Sequence, residues 1–289
     1  MTSPHTLLKA WNIRPRKEMG QNFLIDQATA RRIVDHAGLA ADDVVLEIGS
    51  GLGVMTIAAA QKARKVIAVE KDKHLVPLLR AELLSHKLAN VQIHEDDVLK
   101  MNLKALVGAE MQPLVVLGNL PYNISSQIVV KLMDVRQHVD RAVLMFQREL
   151  AERLCAGPGT KAYGRLSVRL QYCAHLAPLM RIGASQFHPR PKVDSAVLGI
   201  SFKRHIDRPV RDERLFAMVV QAAFGQRRKN LRNALSSGLL SLERPEVERL
   251  LDAAQIDHRR RAETLPVDVF VTLTNLIAEG LVGNGGKVS

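Results

Sequence analysis

The stretch Val44-Val45-Leu46-Glu47-Ile48-Gly49-Ser50-Gly51-Leu52-Gly53 decides the fold class. Its first half is a β-branched apolar run, typical of a buried parallel strand, and its second half places glycine at alternate positions before a helical stretch from Val54 to about Lys62. A strand, a glycine-rich loop and a helix form the first turn of a Rossmann-like unit. We therefore predict an α/β fold with a doubly wound sheet, in which the glycines let a ligand approach the backbone.

Two further predicted strands end in acidic residues. The strand at 66–69 ends in Glu70, and the strand at 91–93 leads to Asp97. Glu70 is suited to accept hydrogen bonds from both ribose hydroxyls, and Asp97 could accept a hydrogen bond from an adenine amino group. Each acid alone would also fit a solvated loop, but together they favour an adenosine-containing cofactor. The candidate cofactor-binding residues are Gly49, Gly51, Glu70 and Asp97.

Two cofactors that contain adenosine, NAD and S-adenosylmethionine, are candidates for this site. The NAD fingerprint spaces its glycines as GxGxxG over a pyrophosphate, whereas here the glycines follow the pattern GxGxG with no added anion-binding device. S-adenosylmethionine has a ribose and an adenine but no phosphate, so it fits the pattern better. It also carries an electrophilic methyl group.

The tetrapeptide Asn119-Leu120-Pro121-Tyr122 follows the apolar run at 114–118, so it lies at the carboxyl edge of a buried strand. The Asn119 oxygen and a main-chain carbonyl at Leu120 or Pro121 could each accept one N–H of a nucleobase amine and aim its lone pair at an electrophile. Tyr122 could stack on the base. Phe187, which precedes His188-Pro189-Arg190-Pro191, could stack on the second face. Taken alone, the tetrapeptide would also fit a simple turn.

The charge of the chain indicates a polyanionic partner. Its 289 residues include 41 Lys+Arg and 29 Asp+Glu, which gives a formal charge of +12. Helical periods dominate after about Phe202, so we predict a catalytic domain at 1–203 with a basic N-terminal arm and a small all-helical RNA-binding or ribosome-binding domain at 204–289. Solvated surface would give similar charge clusters. The candidate RNA-binding residues are Arg14, Arg16, Lys17, Arg227, Arg228, Lys229 and Arg232.

Several classes of protein are disfavoured. No apolar run reaches the length of a membrane span, and the first residues lack the apolar core of a signal peptide. Cys155 and Cys173 are too few and too far apart for a zinc site or a disulfide framework. We expect a cytoplasmic monomer without a metal.

Six motifs in order resemble the small-subunit ribosomal RNA adenine-N6 dimethyltransferases, the KsgA/RsmA family, over nearly the whole chain. They lie at 20–24, 47–53, 119–125, 161–167, 191–197 and 226–233. The resemblance implies a class I methyltransferase that uses S-adenosylmethionine and methylates twice each of two adjacent adenosines in the 3′-terminal hairpin loop of 16S rRNA, as part of ribosome biogenesis. Carried over by position, the cofactor contacts of the family fall on Asn22, Leu24, Gly49, Glu70, Asp97 and Asn119.

Two residues depart from the pattern of the family. Ser50 stands where proline is common, and Lys71 stands where an apolar residue is usual. Neither removes a predicted contact, but both bear on cofactor affinity. Two alternatives share these features: a small-subunit assembly factor that acts mainly by binding, and a methyltransferase for large-subunit RNA. The motifs at 161–167 and 226–233 favour the small-subunit family over the second of these.

Overall fold

A computed structural model describes residues 4–110, 112–226 and 228–283. Within these residues the strands are β1 Phe23–Leu24, β2 Val44–Ile48, β3 Lys65–Glu70, β4 Val91–Glu95, β5 Leu114–Asn119, β6 Val139–Gln147, β7 Ala174–Ile182, β8 Phe187–His188 and β9 Ser195–Phe202. The α-helices are α1 Pro4–Ala10, α2 Gln27–His36, α3 Val54–Ala60, α4 Leu75–Ser85, α5 Leu103–Gly108, α6 Ser125–Asp134, α7 Arg148–Cys155, α8 Arg165–Cys173, α9 Glu213–Gly225, α10 Leu231–Leu235, α11 Arg244–Ala253 and α12 Val267–Gly283.

The main sheet has the strand order β4-β3-β2-β5-β6-β9-β7. β2 pairs in parallel with both β3 and β5, while β9 runs antiparallel to β6. The chain leaves β2 toward β3 on one side and returns to β5 on the other, so the strand order reverses between β2 and β5. In open α/β sheets this switch point forms a crevice at the carboxyl ends of the strands. The predicted α/β class is confirmed.

The strands next to this switch point are held by apolar burial. All residues of β2 are buried, including Glu47, and its neighbour β5 is buried from Leu114 to Gly118. Helices α2 and α3 pack against one face of the sheet in an apolar cluster that includes Ile33, Val45 and Leu117. A sheet covered in this way gives the strand ends a rigid base, which a precise site requires.

The chain divides into two compact units. The first contains Met1–Ala151 and His175–Phe202, and the second contains Glu152–Ala174 and Lys203–Ser289. Residues 152–174 therefore belong to the second unit. The sequence analysis had placed them in the catalytic domain at 1–203. The reason lies in packing: α8 contacts α9 and α12, and the Tyr163 ring lies 6.1 Å from that of Phe224. The second unit is built from helices, and the main sheet belongs almost entirely to the first.

Candidate active site

A cavity of about 890 Å³, including space open to solvent, lies at the carboxyl ends of β2, β3, β4 and β5. Residues 18–23 form a further part of its lining. Nine of the predicted site residues line it, namely Asn22, Gly49, Gly51, Glu70, Asp97, Asn119, Leu120, Pro121 and Tyr122. We call Gly49, Gly51, Glu70 and Asp97 the cofactor side and residues 119–122 the acceptor side.

The glycine loop of the cofactor side needs glycine for two reasons. Gly49 and Gly51 have φ angles of +74° and +54°, a conformation that L side chains rarely adopt. A Cβ at Gly51 would also lie 3.3 Å from two atoms of the Phe23 ring. The loop therefore brings bare backbone to the cavity, with Phe23 packed closely against it.

Glu70 fixes this loop to the end of β3. One carboxylate oxygen accepts from the Gly51 N–H at 2.7 Å, and the other accepts from the Asp72 N–H at 2.8 Å. Burial raises the pKa of Glu70, although these main-chain donors act in the opposite direction. Each carboxylate oxygen has a second acceptor position, so Glu70 can hold the loop and still accept from a ribose hydroxyl.

Asp97 has a different environment. Its carboxylate pairs with the Lys71 ammonium at 2.9 Å and accepts from the Leu99 N–H at 3.0 Å. Burial tends to raise the pKa of Asp97, but the Lys71 and Leu99 contacts together hold it below its ordinary value. Lys71, one of the two departures from the family pattern, therefore binds the acid that is predicted to accept from adenine. The other departure, Ser50, is buried, and its hydroxyl has no partner among the described residues.

A buried acid that the sequence analysis did not single out ties residues 16–21 to the cofactor side. Asp72 is 1% exposed and accepts from the Gln21 side-chain amide at 2.7 Å. The Gln21 oxygen accepts in turn from the Arg16 N–H at 2.8 Å. The signal that could have found Asp72 is its spacing of two residues from Glu70, which places both acids at one strand end.

On the acceptor side, the amide of Asn119 is oriented by the backbone. Its nitrogen donates to the Asn22 carbonyl at 2.9 Å. Because the two ends of an amide point apart, this bond leaves the Asn119 oxygen as the acceptor that is available to a ligand. The contact joins residues 97 positions apart, so the sequence could not show it.

The Pro121 carbonyl already accepts hydrogen bonds from the chain itself. This narrows the predicted main-chain acceptor for the amine, which was the carbonyl of Leu120 or Pro121. The Pro121 carbonyl accepts from the Ile124 N–H at 3.2 Å and from the Ser125 hydroxyl at 2.8 Å. A carbonyl oxygen has two lone pairs, so both are engaged. Of the two main-chain acceptors considered, the Leu120 carbonyl is the one that remains for an amine.

Tyr122 is half-buried, and its hydroxyl lies 2.7 Å from the hydroxyl of Ser195. Burial raises the pKa of the Tyr122 phenol, so it is neutral near pH 7. Ser195 is fully buried at the start of β9. The ring of Tyr122 is thus fixed at its far end while it lines the cavity.

Two predicted residues lie outside the cavity lining. Leu24 and Phe187 are each 2% exposed and pack in the apolar cluster beside the sheet, where β1 pairs with β8. A ring enclosed in a core cannot present a face to a base. Stacking by Phe187 therefore does not fit this conformation and stays a prediction that requires the ring to leave the core.

The predicted RNA-binding residues differ in their availability. Arg14, Lys17, Arg228 and Lys229 are exposed, while an Arg16 nitrogen lies 3.9 Å from Asp72. Arg232 is half-buried and pairs with Glu248 at 3.2 Å, so its charge is partly neutralised. Arg227 lies outside the described residues.

Neither a metal-binding group nor a membrane-spanning helix is found in the part of the chain that the structure describes. These residues contain no group of three or more His, Cys, Asp or Glu side chains that could hold a metal ion. No helix among these residues is both long and apolar enough to cross a membrane.

The fold and the cavity define a Rossmann-like methyltransferase. The positive-φ glycine loop leaves room for a ligand at the backbone, and Glu70 and Asp97 provide acceptors at successive strand ends for a ribose and an adenine. These residues fit S-adenosylmethionine, which supplies an electrophilic methyl group when it is bound.

Comparison with known proteins assigns the family. The model of the family "Ribosomal RNA adenine dimethylase" matches residues 12–279, and the chain belongs to this family. It is a methyltransferase whose methyl donor is S-adenosylmethionine. The resemblance found in the sequence is thereby confirmed.

Relatives share much of the sequence of this chain, and solved structures share its fold. The chain is 44% identical to the ribosomal RNA small subunit methyltransferase A of Desulforapulum autotrophicum, over 96% of this chain and 97% of that one. It is 42% identical to the protein of the same name from Alkaliphilus metalliredigens, over 94% and 95%. A dimethyladenosine transferase from Plasmodium falciparum has the same fold, with a TM-score of 0.77 at 24% identity, over 91% and 98%. The 23S rRNA methyltransferase ErmE gives a TM-score of 0.67 at 26% identity, over 89% and 100%.

Proposed function

We propose that the chain transfers methyl groups to the N6 amines of two adjacent adenosines in the 3′-terminal hairpin loop of 16S rRNA, twice on each, and so contributes to ribosome biogenesis. The observation that carries the chemistry is the bond from the Asn119 amide nitrogen to the Asn22 carbonyl, because it leaves the Asn119 oxygen as an acceptor. The choice of RNA rests on relatives at 44% and 42% identity that are named for the small ribosomal subunit.

The residues of the acceptor side can perform the transfer by orientation. The Asn119 oxygen and the Leu120 carbonyl accept the two N–H groups of the adenine amine, which turns its lone pair toward the cofactor side. Tyr122 supports the base by stacking, a contact worth about 1–3 kcal/mol per base. No general base is needed before attack, because the amine proton becomes acidic only once the nitrogen is alkylated. Bases in a loop lose little stacking when they enter such a pocket.

Labelled S-adenosylmethionine tests the substrate. Unmethylated small subunits, free small-subunit RNA and large-subunit RNA would each be incubated with the protein, and the modified nucleosides would be mapped by mass spectrometry. We expect dimethyladenosine at two adjacent positions of the small-subunit RNA. Dimethyladenosine in large-subunit RNA alone would favour a methyltransferase for large-subunit RNA. Absence of dimethyladenosine from all three samples would contradict the proposal.

An assembly factor that acts by binding is the second candidate function, favoured by the exposed Arg228 and Lys229 of the helical unit. We expect Arg228→Ala with Lys229→Ala to weaken RNA binding and to reduce the slope of log affinity against log salt by about 0.7–0.9 per lost phosphate contact. Arg249→Ala, an exposed arginine on α11, is the matched control. An unchanged slope in the double variant would mean that another surface meets the RNA.

We also propose that the enzyme acts in the cytoplasm as a monomer. Light scattering of the purified protein with and without RNA would test the state of association. A dimer at working concentrations would contradict this part of the proposal.

A further inference from the structure

Three of the hydrogen bonds that hold the acceptor side join it to Asn22, Ser125 and Ser195, and all three are neutral. The Asn22 carbonyl orients the Asn119 amide, the Ser125 hydroxyl holds the Pro121 carbonyl, and the Ser195 hydroxyl lies against the Tyr122 phenol. The first two fix acceptors or backbone. Only the third fixes an aromatic ring, so its loss would change how a base is held rather than how an N–H is accepted.

Ser195 is well placed to fix that ring. It is fully buried, with an exposed fraction of 0%. Its backbone lies opposite Gln147 in the pairing of β9 with β6, so its position is set by the main sheet. The Tyr122 hydroxyl, 2.7 Å away, is therefore tied to a rigid element, and the tilt of the half-buried ring follows from this contact.

The two methyl transfers to one amine start from different numbers of N–H groups. That two transfers occur rests on the proposed function. In each transfer the N6 lone pair forms an N–C bond, the S–C bond to the methyl group breaks with its electron pair kept by sulfur, and one amine proton passes to water. The first transfer begins with two N–H groups for the Asn119 oxygen and the Leu120 carbonyl. The second begins with one N–H, so one of the two orienting bonds is missing.

We propose that Ser195 is a positioning residue for the second methyl transfer, because it fixes the tilt of the Tyr122 ring on which the singly methylated base must rely for its orientation. Two hydrogen bonds hold the unmethylated amine even when the ring tilts. The methylated amine keeps one of these bonds and depends more on the ring. Dimethylation therefore uses a hydroxyl that lies 73 residues beyond the tetrapeptide.

The test measures the two rates separately in Ser195→Ala, Tyr122→Phe and the double variant. Single-turnover reactions on unmethylated small subunits would be followed by mass spectrometry of mono- and dimethyladenosine. We expect the second transfer to slow about fivefold and the first by less than about twofold, as for the loss of one ordinary hydrogen bond. Monomethyladenosine should accumulate, and the double variant should match either single variant because all three lack the same contact.

Controls separate positioning from folding. Ser201→Ala removes an exposed serine from the same strand and should leave both rates and their ratio unchanged. Thermal melting and S-adenosylmethionine affinity would be measured for each variant. If Ser195→Ala fails to fold, Tyr122→Phe tests the proposal by itself. It removes the same hydrogen bond by changing the half-buried partner, and it keeps the aromatic ring.

The outcomes distinguish this proposal from the proposed function. A wild-type mono-to-dimethyl ratio in Tyr122→Phe, or fully additive effects in the double variant, would overturn the role of Ser195. Equal slowing of both transfers would overturn it as well. Absence of methylated adenosine with the unaltered enzyme would instead contradict the proposed function.

Discussion

The two sides of the cavity are held in place by different chemistry. The cofactor side is organised by carboxylates: Glu70 binds two main-chain N–H groups, and Asp97 pairs with Lys71. The acceptor side is organised by neutral groups, namely the Asn22 carbonyl and the hydroxyls of Ser125 and Ser195. The cofactor side should therefore respond to pH and charge, whereas the acceptor side should respond to the loss of single neutral contacts.

The largest effect is expected from Asn119→Ala. It removes one of the two acceptors that orient the amine, and misplacement of a reacting group by about 1 Å costs about a hundredfold in rate. We expect kcat to fall by about that factor and the affinity for S-adenosylmethionine to fall by less, because Asn119 is one predicted cofactor contact among several and the acids of the cofactor side remain. Single-turnover methylation and calorimetry would measure the two quantities. A large loss of cofactor affinity with unchanged kcat would contradict the division into two sides.

Glu47→Gln should change how stability depends on pH. Burial, with a smaller effect from Glu70, raises the pKa of Glu47 to about 7. Between the ordinary value near 4.5 and about 7, the unfolded chain is ionised at this residue while the folded chain is protonated, so the folded state loses stability as pH rises through this window. The free energy of unfolding that is lost across this window is about 3 kcal/mol, at about 1.4 kcal/mol per pKa unit.

Urea unfolding at pH 5 and pH 8 measures the effect of Glu47→Gln. The variant should gain more free energy of unfolding relative to the unaltered protein at pH 8 than at pH 5. Ser195→Ala, which removes a neutral contact to the acceptor side, should shift stability equally at both pH values. An equal shift for Glu47→Gln would mean that the residue is ionised in the folded protein throughout this range.

Glu70→Gln should weaken cofactor binding. The amide oxygen can still accept from one main-chain N–H, but the amide nitrogen then faces the other donor, so the loop at Gly51 or the turn at Asp72 loses its acceptor. Hydrogen bonds to charged groups contribute about 1.5–3 kcal/mol, which corresponds to a loss of affinity of about tenfold or more. Calorimetry with S-adenosylmethionine measures the loss, and kcat at saturating cofactor should remain near the original value. Unchanged affinity would contradict the role of Glu70.

The difference between the two sides also explains what the sequence could predict. Strand periodicity and the positions of Gly49, Glu70 and Asp97 at strand ends are local features, so the cofactor side and the α/β class followed from them. The contacts that hold the acceptor side join residues 97 and 73 positions apart, and buried serines have no local signature. The sequence analysis made no prediction for β7, which contains Pro178; a proline fits a strand at the edge of a sheet, and β7 lies at that edge. Phe187 was assigned to the site from its place in a loop, but its burial depends on packing that the sequence does not show.

The smallest effect is expected from Lys71→Ala, which tests the charged contact of the cofactor side. The Lys71 side chain is 57% exposed, and exposed ion pairs contribute about 0–1 kcal/mol. Because Lys71 competes with an adenine amino group for Asp97, its removal should tighten binding of S-adenosylmethionine by less than about threefold. Lys73→Ala, a nearby exposed lysine, is the matched control and should leave the affinity unchanged. The gain should shrink as salt is added, since screening already weakens the Lys71 pair in the unaltered protein. Weaker binding in Lys71→Ala would show instead that the lysine contacts the cofactor, and Asp97 alone would then not account for recognition of the adenine.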